Sequence, residues 1–309
     1  MEIRTLGEGG PQVSVVGLGC NNFGMRVDEP GARAVIDAAI EAGVTHFDTA
    51  EMYGGGKSEE FIGRALVGRR DAVMIATKFS PRPAEPPYEP GALARRITEA
   101  CEQSLTRLQT DHIDLYYQHY PDAGAPMDEA LETLDGLVRQ GKVLHVACSN
   151  YNAEQVDQAA AVATERGLPR FVGLQVHWNM LERGVEESVV PAARRAGMGV
   201  IPYFPLASGL LTGKYRRGTE YPAGARLSSQ SYFSSVLTDE NFDRVEALTA
   251  FAEQRGHTVL ELAVAWLAAQ PGVASVIAGA TSPEQVKVNA AAASWRLSAE
   301  DLAALSRLG

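Results

Sequence analysis

Eight short runs of apolar, β-prone residues recur along the chain, at 13–18, 44–47, 73–76, 113–117, 143–147, 171–176, 199–203 and 273–278. Amphipathic stretches with helical spacing separate them, at 31–42, 58–66, 91–108, 127–140, 153–166, 187–196 and 259–269, and another at 283–293 follows the last run. Strands that alternate with helices imply parallel strands joined by crossover helices. Eight such pairs are the number that closes a barrel, so the pattern predicts an α/β protein, a (β/α)8 TIM barrel in one domain over residues 1–309. A doubly wound open sheet is the competing arrangement. Helix punctuation agrees, with a stop at Thr110-Asp111 and a proline-led start at Pro283-Glu284. The stretches 1–6 and 13–15 flank Gly9-Gly10-Pro11, which predicts an N-terminal hairpin capping the bottom of the barrel. A final helix is expected over 298–308, outside the barrel. The segment 214–241, between the seventh strand and its helix, is the one long irregular connection and reads as a lid or binding loop.

The bulk numbers set limits on function. With 45% hydrophobic and 21% charged residues the chain can bury a sizeable core. A formal charge of −10 argues against a nucleic-acid footprint, which needs a basic face. The opening Met1-Glu2-Ile3-Arg4-Thr5 has no signal-peptide apolar core, and no run approaches the roughly 20 residues of a membrane span. Cys20, Cys101 and Cys148 have no metal-ligand spacing. Reduced thiols in a cytoplasmic protein with no metal site are the plain expectation.

Polar residues stand just past three consecutive runs: Asp48 and Tyr53 after 44–47, Lys78 after 73–76, and His119 after 113–117. On a barrel all would meet at the C-terminal mouth, where active sites are built. A carbonyl that accepts hydride develops negative charge on oxygen, and an acid must protonate it. Tyr53 could do so if a cationic Lys78 lowered its pKa from about 10 and Asp48 kept Lys78 charged. His119 could hydrogen-bond the carbonyl oxygen. Singly, each of these residues also reads as a solvated loop residue or a cap.

Phe47-Asp48-Thr49-Ala50-Glu51-Met52-Tyr53-Gly54, followed by Ser58-Glu59, resembles the strand-two signature of the aldo-keto reductases. Thr77-Lys78 and Asp114-Leu115-Tyr116-Tyr117-Gln118-His119 resemble the third- and fourth-strand motifs. The likeness continues through Gly141-Lys142-Val143, Cys148-Ser149-Asn150-Tyr151 and Gln175-Val176. It runs on from Tyr203-Phe204-Pro205-Leu206 to Lys214-Tyr215 and closes at Gly279-Ala280-Thr281-Ser282-Pro283-Glu284-Gln285. It is nearest to the bacterial reductases related to potassium-channel β subunits. The resemblance implies an NAD(P)H-dependent oxidoreductase of aldehydes or ketones, with Tyr53 as general acid, Lys78 and Asp48 tuning it, and His119 orienting the carbonyl.

It also implies that NADP lies extended across the mouth. Gly17-Leu18-Gly19 is no Rossmann fingerprint, because Asn22 stands where the third glycine belongs. By resemblance Ser149, Asn150 and Gln175 would bind the nicotinamide carboxamide and Tyr203 would stack on its ring, although Tyr203 also reads as a strand-end core aromatic. Gly19, Cys20, Asn21 and Asp48 would line that end. Phe204 and Pro205 would touch the cofactor, the loop 206–214 with Leu206, Gly209, Leu211 and Lys214 would wrap the pyrophosphate, and Gly279, Thr281, Gln285 and Asn289 would meet the adenosine end. Arg226 would meet a 2′-phosphate, or is simply a surface arginine. Many members carry an Arg in the stretch held here by Thr281-Ser282, and near relatives a Glu where Val288 stands. NADPH is the expectation, with NAD as the alternative.

Phe23, Met52, Tyr53, Phe79, His119, Tyr120 and Trp178 are candidates for the substrate pocket of a small carbonyl compound. Tyr88, Tyr232 and Phe233 join them, with Arg26 and Arg82 in reach of an anionic group. No membrane partner is expected. Two rival readings stay open: a non-catalytic or weakly catalytic NADPH-sensing subunit, and a barrel enzyme using Lys78 as a Schiff base.

Overall fold

A computed structural model of the protein describes residues 1–80, 88–122, 124–219 and 236–308. Two short antiparallel strands come first, β1 (Ile3–Thr5) and β2 (Gln12–Ser14), paired with Arg4 opposite Val13. Eight parallel strands follow: β3 (Val16–Gly19), β4 (His46–Asp48), β5 (Met74–Phe79), β6 (Ile113–Gln118), β7 (Val143–Ser149), β8 (Gly173–His177), β9 (Gly199–Tyr203) and β10 (Val276–Gly279). They close in sequence order, β10 pairing with both β3 and β9. The predicted (β/α)8 barrel and its N-terminal hairpin are therefore present, and the open-sheet alternative is not.

Helices α1 (Glu29–Glu41), α2 (Lys57–Ala65), α3 (Ala92–Leu108), α4 (Met127–Arg139), α5 (Ala153–Arg166) and α6 (Val189–Arg195) connect the first strands. Between β9 and β10 lie α7 (Asp239–Glu253) and α8 (Val259–Ala268), and α9 (Pro283–Ala292) and α10 (Ala299–Leu305) end the chain. The sequence reading has no counterpart of α7. Its signal was there, since Thr238 caps Asn241 N and the buried Phe242, Val245, Leu248, Phe251 and Ala252 recur at helical spacing. The run 13–18 divides between β2 and β3, because the chain turns from hairpin into barrel at Val15. Helix α3 ends at Leu108, as the stretch 91–108 predicts, with Gln109 as a left-handed cap (φ 53°) just before Thr110-Asp111.

The hairpin plugs the bottom of the barrel. Leu6 and Val13 join Met74, Ala76, Leu115, Tyr117, Ala147, Ile201 and Ile277 in the interior core. Gly7 makes the approach feasible, since a Cβ there would lie 2.1 Å from the Val172 carbonyl oxygen at a φ of 65°. Gly17, half of the Gly-x-Gly pair, has a comparable role. A Cβ on it would meet Ile277 Cδ1 at 2.5 Å and His46 Nδ1 at 3.1 Å, so its missing side chain admits those two residues.

His46 is fully buried, with Nδ1 2.9 Å from Ser275 Oγ and Nε2 without a hydrogen-bond partner among the described residues. Burial is the main reason its pKa falls to about 4, and the Lys78 charge adds to it against the opposing pull of Asp48. Unfolded histidine protonates near 6.5, so between that pH and about 4 the unfolded chain binds a proton that the folded chain refuses. Stability is therefore lost as pH falls through this window, on the order of 3 kcal/mol for the whole of it. Denaturant unfolding at pH 7 and pH 4.5 should show the wild type losing about 2 kcal/mol more than His46→Gln. Equal losses in the two proteins would mean that His46 titrates normally.

Candidate functional site

A cavity of about 630 Å³ opens at the C-terminal end of the barrel, within the usual size of a small-ligand site. Asp48 ends β4, and its Oδ1 accepts from Lys78 Nζ at 2.6 Å while its Oδ2 accepts from Gln175 Nε2 at 2.7 Å. Lys78 is wholly buried behind the cavity wall and also donates to the Thr49 carbonyl at 2.7 Å. Its ammonium lies between two rings, 5.3 Å from the centre of Tyr53 and 5.4 Å from that of Tyr117. The ammonium is thus held by a carboxylate, a carbonyl and two ring faces, which together offset the cost of burying a charge.

Tyr53 follows β4 at the head of the turn Tyr53–Gly56. Gly54, Gly55 and Gly56 are all left-handed there, and a Cβ on Gly54 would lie 2.6 Å from the Phe23 carbonyl oxygen. This sharp turn brings the Tyr53 ring edge-on to His119, with centroids 6.0 Å apart. Burial, and then the charge of Asp48, push the Tyr53 phenol well above 10. Desolvation therefore outweighs the lowering expected from Lys78, whose ammonium is engaged by Asp48 and Thr49. The phenol stays protonated.

His119 follows β6 and stacks on Tyr120, centroids 4.6 Å apart at 16°. Burial, with the Lys78 charge second, lowers its pKa to about 3, so the imidazole is neutral at any ordinary pH. Asn150 is left-handed (φ 61°) and donates to the His119 carbonyl at 2.9 Å and to Ser149 Oγ at 3.1 Å. Its Oδ1 accepts from the Tyr203 hydroxyl at 2.8 Å, and Ser149 Oγ donates to the Gln175 carbonyl at 3.0 Å. Tyr203 is stacked on His177 with centroids 5.4 Å apart and an 11° tilt. These bonds tie four strand ends into one wall.

Opposite that wall the chain from Phe204 to Lys214 is unusual. Phe204 (φ 52°), Ala207 (φ 45°) and Ser208 (φ 58°) are left-handed without being glycine. Such residues cost of order 1–3 kcal/mol each and persist where the surroundings impose them. A Cβ on Gly209 (φ 107°) would come within 3.4 Å of Lys214 Nζ, so this glycine lets the lysine fold back over the loop. At the far end α9 begins with Ser282 capping Gln285 N, and Gln285 Oε1 accepts from Thr281 N at 2.9 Å. The start of that helix lends the cavity a partial positive charge.

Most of the predicted site residues share this cavity. Asp48, Tyr53, His119, Ser149, Asn150, Gln175 and Tyr203 line it, as do Gly19, Cys20, Asn21, Met52 and Tyr120. So do Phe204, Pro205, Leu206, Gly209, Lys214, Gly279, Thr281, Gln285 and Asn289, with Arg26. Others do not. Phe23, Phe79 and Trp178 are buried in the core, Phe79 packed on Tyr116 and Trp178 on Trp266 with its indole N–H on Glu186. None of the three is on the cavity wall among the described residues; Phe79 is one step from Lys78 on β5, so alternation turns it to the opposite face. Leu211 is likewise fully buried, and Tyr88 instead hydrogen-bonds Glu129. Arg82, Arg226, Tyr232 and Phe233 lie outside the described residues. Ser208 and Thr212 of the predicted pyrophosphate loop line it too, while Asn22, Leu260, Ile277, Ala278 and Glu284 have no assignment from the sequence; Val288, noted only as a departure from the family, also lies there. Glu284 lies inside the closing motif, between Thr281 and Gln285, which was the signal for it.

Among the described residues no helix is long and apolar enough to cross a membrane, and no cluster of His, Cys, Asp or Glu could hold a metal ion. Residues 15–309 match the model of the aldo/keto reductase family. The chain is 35% identical to aldo-keto reductase YhdN of Bacillus subtilis, over 97% of this chain and 91% of the relative. It is 32% identical to the L-glyceraldehyde 3-phosphate reductase of Escherichia coli K12, over 94% and 86%. It is 34% identical to the probable voltage-gated potassium channel subunit beta of rice (Oryza sativa subsp. japonica), over 94% and 90%.

Proposed function

The chain belongs to the aldo/keto reductase family, a family of oxidoreductases acting on small carbonyl compounds, and on that premise we propose that it reduces aldehydes or ketones with NADPH, Tyr53 serving as general acid. One observation carries the reading. A phenol held protonated and a neutral imidazole meet on one cavity wall, with a buried ammonium behind it paired with the Asp48 carboxylate.

In this reading the nicotinamide, when bound, supplies the hydride. Tyr53 keeps a proton at neutral pH and gives it to the oxygen that hydride addition makes negative. Lys78, paired with Asp48 at 2.6 Å and facing the Tyr53 ring, stands where its charge would stabilise the phenolate left behind. His119, neutral, offers an N–H to the same oxygen without competing for its proton.

The residues that line the cavity suit a dinucleotide laid along it. Ser149, Asn150 and Gln175 would hold the carboxamide, with Tyr203 against the nicotinamide ring. The left-handed loop and Lys214 would hold the pyrophosphate, and Thr281, Gln285 and Asn289 the adenosine end beside the start of α9. NADH is the second reading. It is favoured by Glu284, a carboxylate on that same wall, and by Thr281-Ser282 where many members have arginine. Apolar Met52 and Tyr120 at the rim suit an aldehyde or modest ketone. We take the chain as one barrel domain, and three buried free thiols are compatible with a reducing cytoplasm.

Nicotinamide oxidation should be followed over a panel of carbonyl substrates, 4-nitrobenzaldehyde included, with each nucleotide. Turnover with higher kcat/KM for NADPH is expected. Comparable efficiency with NADH would end the NADPH preference. Tight NADPH binding with no turnover on any carbonyl would favour a nucleotide-sensing role, and borohydride trapping of substrate on Lys78 would favour a Schiff base.

A further inference from the structure

Ser80 stands just beyond β5, and its hydroxyl has two neighbours. Oγ lies 3.3 Å from His119 Nδ1 and 3.6 Å from Met52 Sδ. The contacts admit two arrangements: Oγ donates to Nδ1, or it accepts from Nδ1–H and donates to the sulfur. A thioether sulfur is a weak acceptor, whereas the lone-pair nitrogen of a neutral imidazole is a strong one, which favours the first. A neutral imidazole has a single N–H, and with Nδ1 accepting it sits on Nε2.

Ser80 is itself held. Its backbone N–H donates to Glu51 Oε1 at 2.8 Å, and the same carboxylate is paired with Arg96 from α3. Both side chains of that pair are largely buried, 17% and 10% exposed. Glu51 also donates its own N–H to the Lys78 carbonyl at 3.2 Å. The residue two positions before Tyr53 thus clamps the end of the strand that carries Lys78 and Ser80.

We propose that Ser80 is a positioning residue that selects the Nε2–H tautomer of His119, and that the Glu51–Arg96 pair holds Ser80 in register to do so. The catalytic consequence rests on the reductase reading above. Nε2–H donates to a carbonyl oxygen, while the other tautomer would present a lone pair to it. Met52, whose sulfur loses the competition for the Ser80 proton, remains a rim residue only.

The test is the ¹⁵N signature of His119 at pH 7, assigned by its disappearance in His119→Gln and compared among wild type, Ser80→Ala, Ser80→Thr and Glu51→Gln. A dominant Nε2–H form is expected in the wild type, a mixed population in Ser80→Ala, partial mixing in Glu51→Gln, and restoration in Ser80→Thr. With NADPH and 4-nitrobenzaldehyde, kcat of Ser80→Ala should fall roughly three- to tenfold, the effect of one neutral hydrogen bond, with NADPH affinity unchanged. In the His119→Gln background Ser80→Ala should add nothing. An Nδ1–H wild type, a tautomer indifferent to Ser80→Ala, or an additive loss in that background would overturn the proposal. If the tautomer follows Ser80 but the wild type reduces no carbonyl, the tautomer assignment stands and the reductase reading falls.

Discussion

Tyr53→Phe is expected to lower the rate of carbonyl reduction by about two to four orders of magnitude, the usual worth of a positioned general acid, while nucleotide affinity stays unchanged. The ring is retained, so its edge contact with His119 and the facing Lys78 ammonium survive, and only the proton is lost. Single-turnover oxidation of NADPH with 4-nitrobenzaldehyde isolates the step. Full hydride-transfer rate in Tyr53→Phe would remove Tyr53 from the mechanism. The wild-type pH profile carries a second expectation. Burial and Asp48 hold the phenol well above 10, so the donor stays protonated and reduction should not fall between pH 7 and pH 9 on its account. A decline with a midpoint near 8 would show that Lys78 lowers the phenol after all, as the residue types alone suggest.

Lys78→Met should destabilise the protein by about 3–5 kcal/mol and abolish reduction, because it strands the Asp48 carboxylate in the interior. Asp48 is 3% exposed and would keep only the Gln175 amide as a neutral partner for its charge. Combining Lys78→Met with Asp48→Leu removes both charges and should recover most of the stability but none of the activity. Denaturant titration of the two single variants and the double variant forms a cycle, and a coupling below about 1 kcal/mol would show that the pair behaves like an exposed one. The contrast separates folding from chemistry. In the proposed mechanism the reaction uses an ammonium there, whereas an apolar pair of the same volume would serve the fold as well.

The strand ends show how far the sequence could be read. The run at 73–76 stops where Thr77-Lys78-Phe79 begins, yet β5 continues through Phe79. In the same way β6 extends to Gln118 and β7 to Ser149. Polar side chains that the site needs interrupt an apolar pattern, while the backbone ladder, indifferent to them, runs on. Function and strand boundary were therefore confused in a consistent direction. Helix α7 is hard to read for another reason: its apolar stripe is diluted by Asp239, Glu240, Asp243 and Glu246.

Aromatic residues near the motif show the opposite failure. Phe23, Phe79 and Trp178 were placed in the pocket by proximity along the chain, but proximity leaves undetermined which side of the barrel wall a side chain occupies. Met52 and Tyr120, equally close in sequence, do reach the rim. Ser80, Glu51 and Arg96 carry no signal that would unite them, since they come from three separate elements and meet only when the barrel closes.

From the order of its residues alone, this chain determined an eightfold alternation and the chemical types at each strand end, because local periodicity and side-chain identity are properties of the chain itself. Only the tertiary structure decided which of those side chains face the cavity and in what protonation state they wait there. Both depend on burial and on neighbours far away in sequence. That is why Tyr53, read as a phenol lowered by Lys78, is instead a phenol raised by its own enclosure.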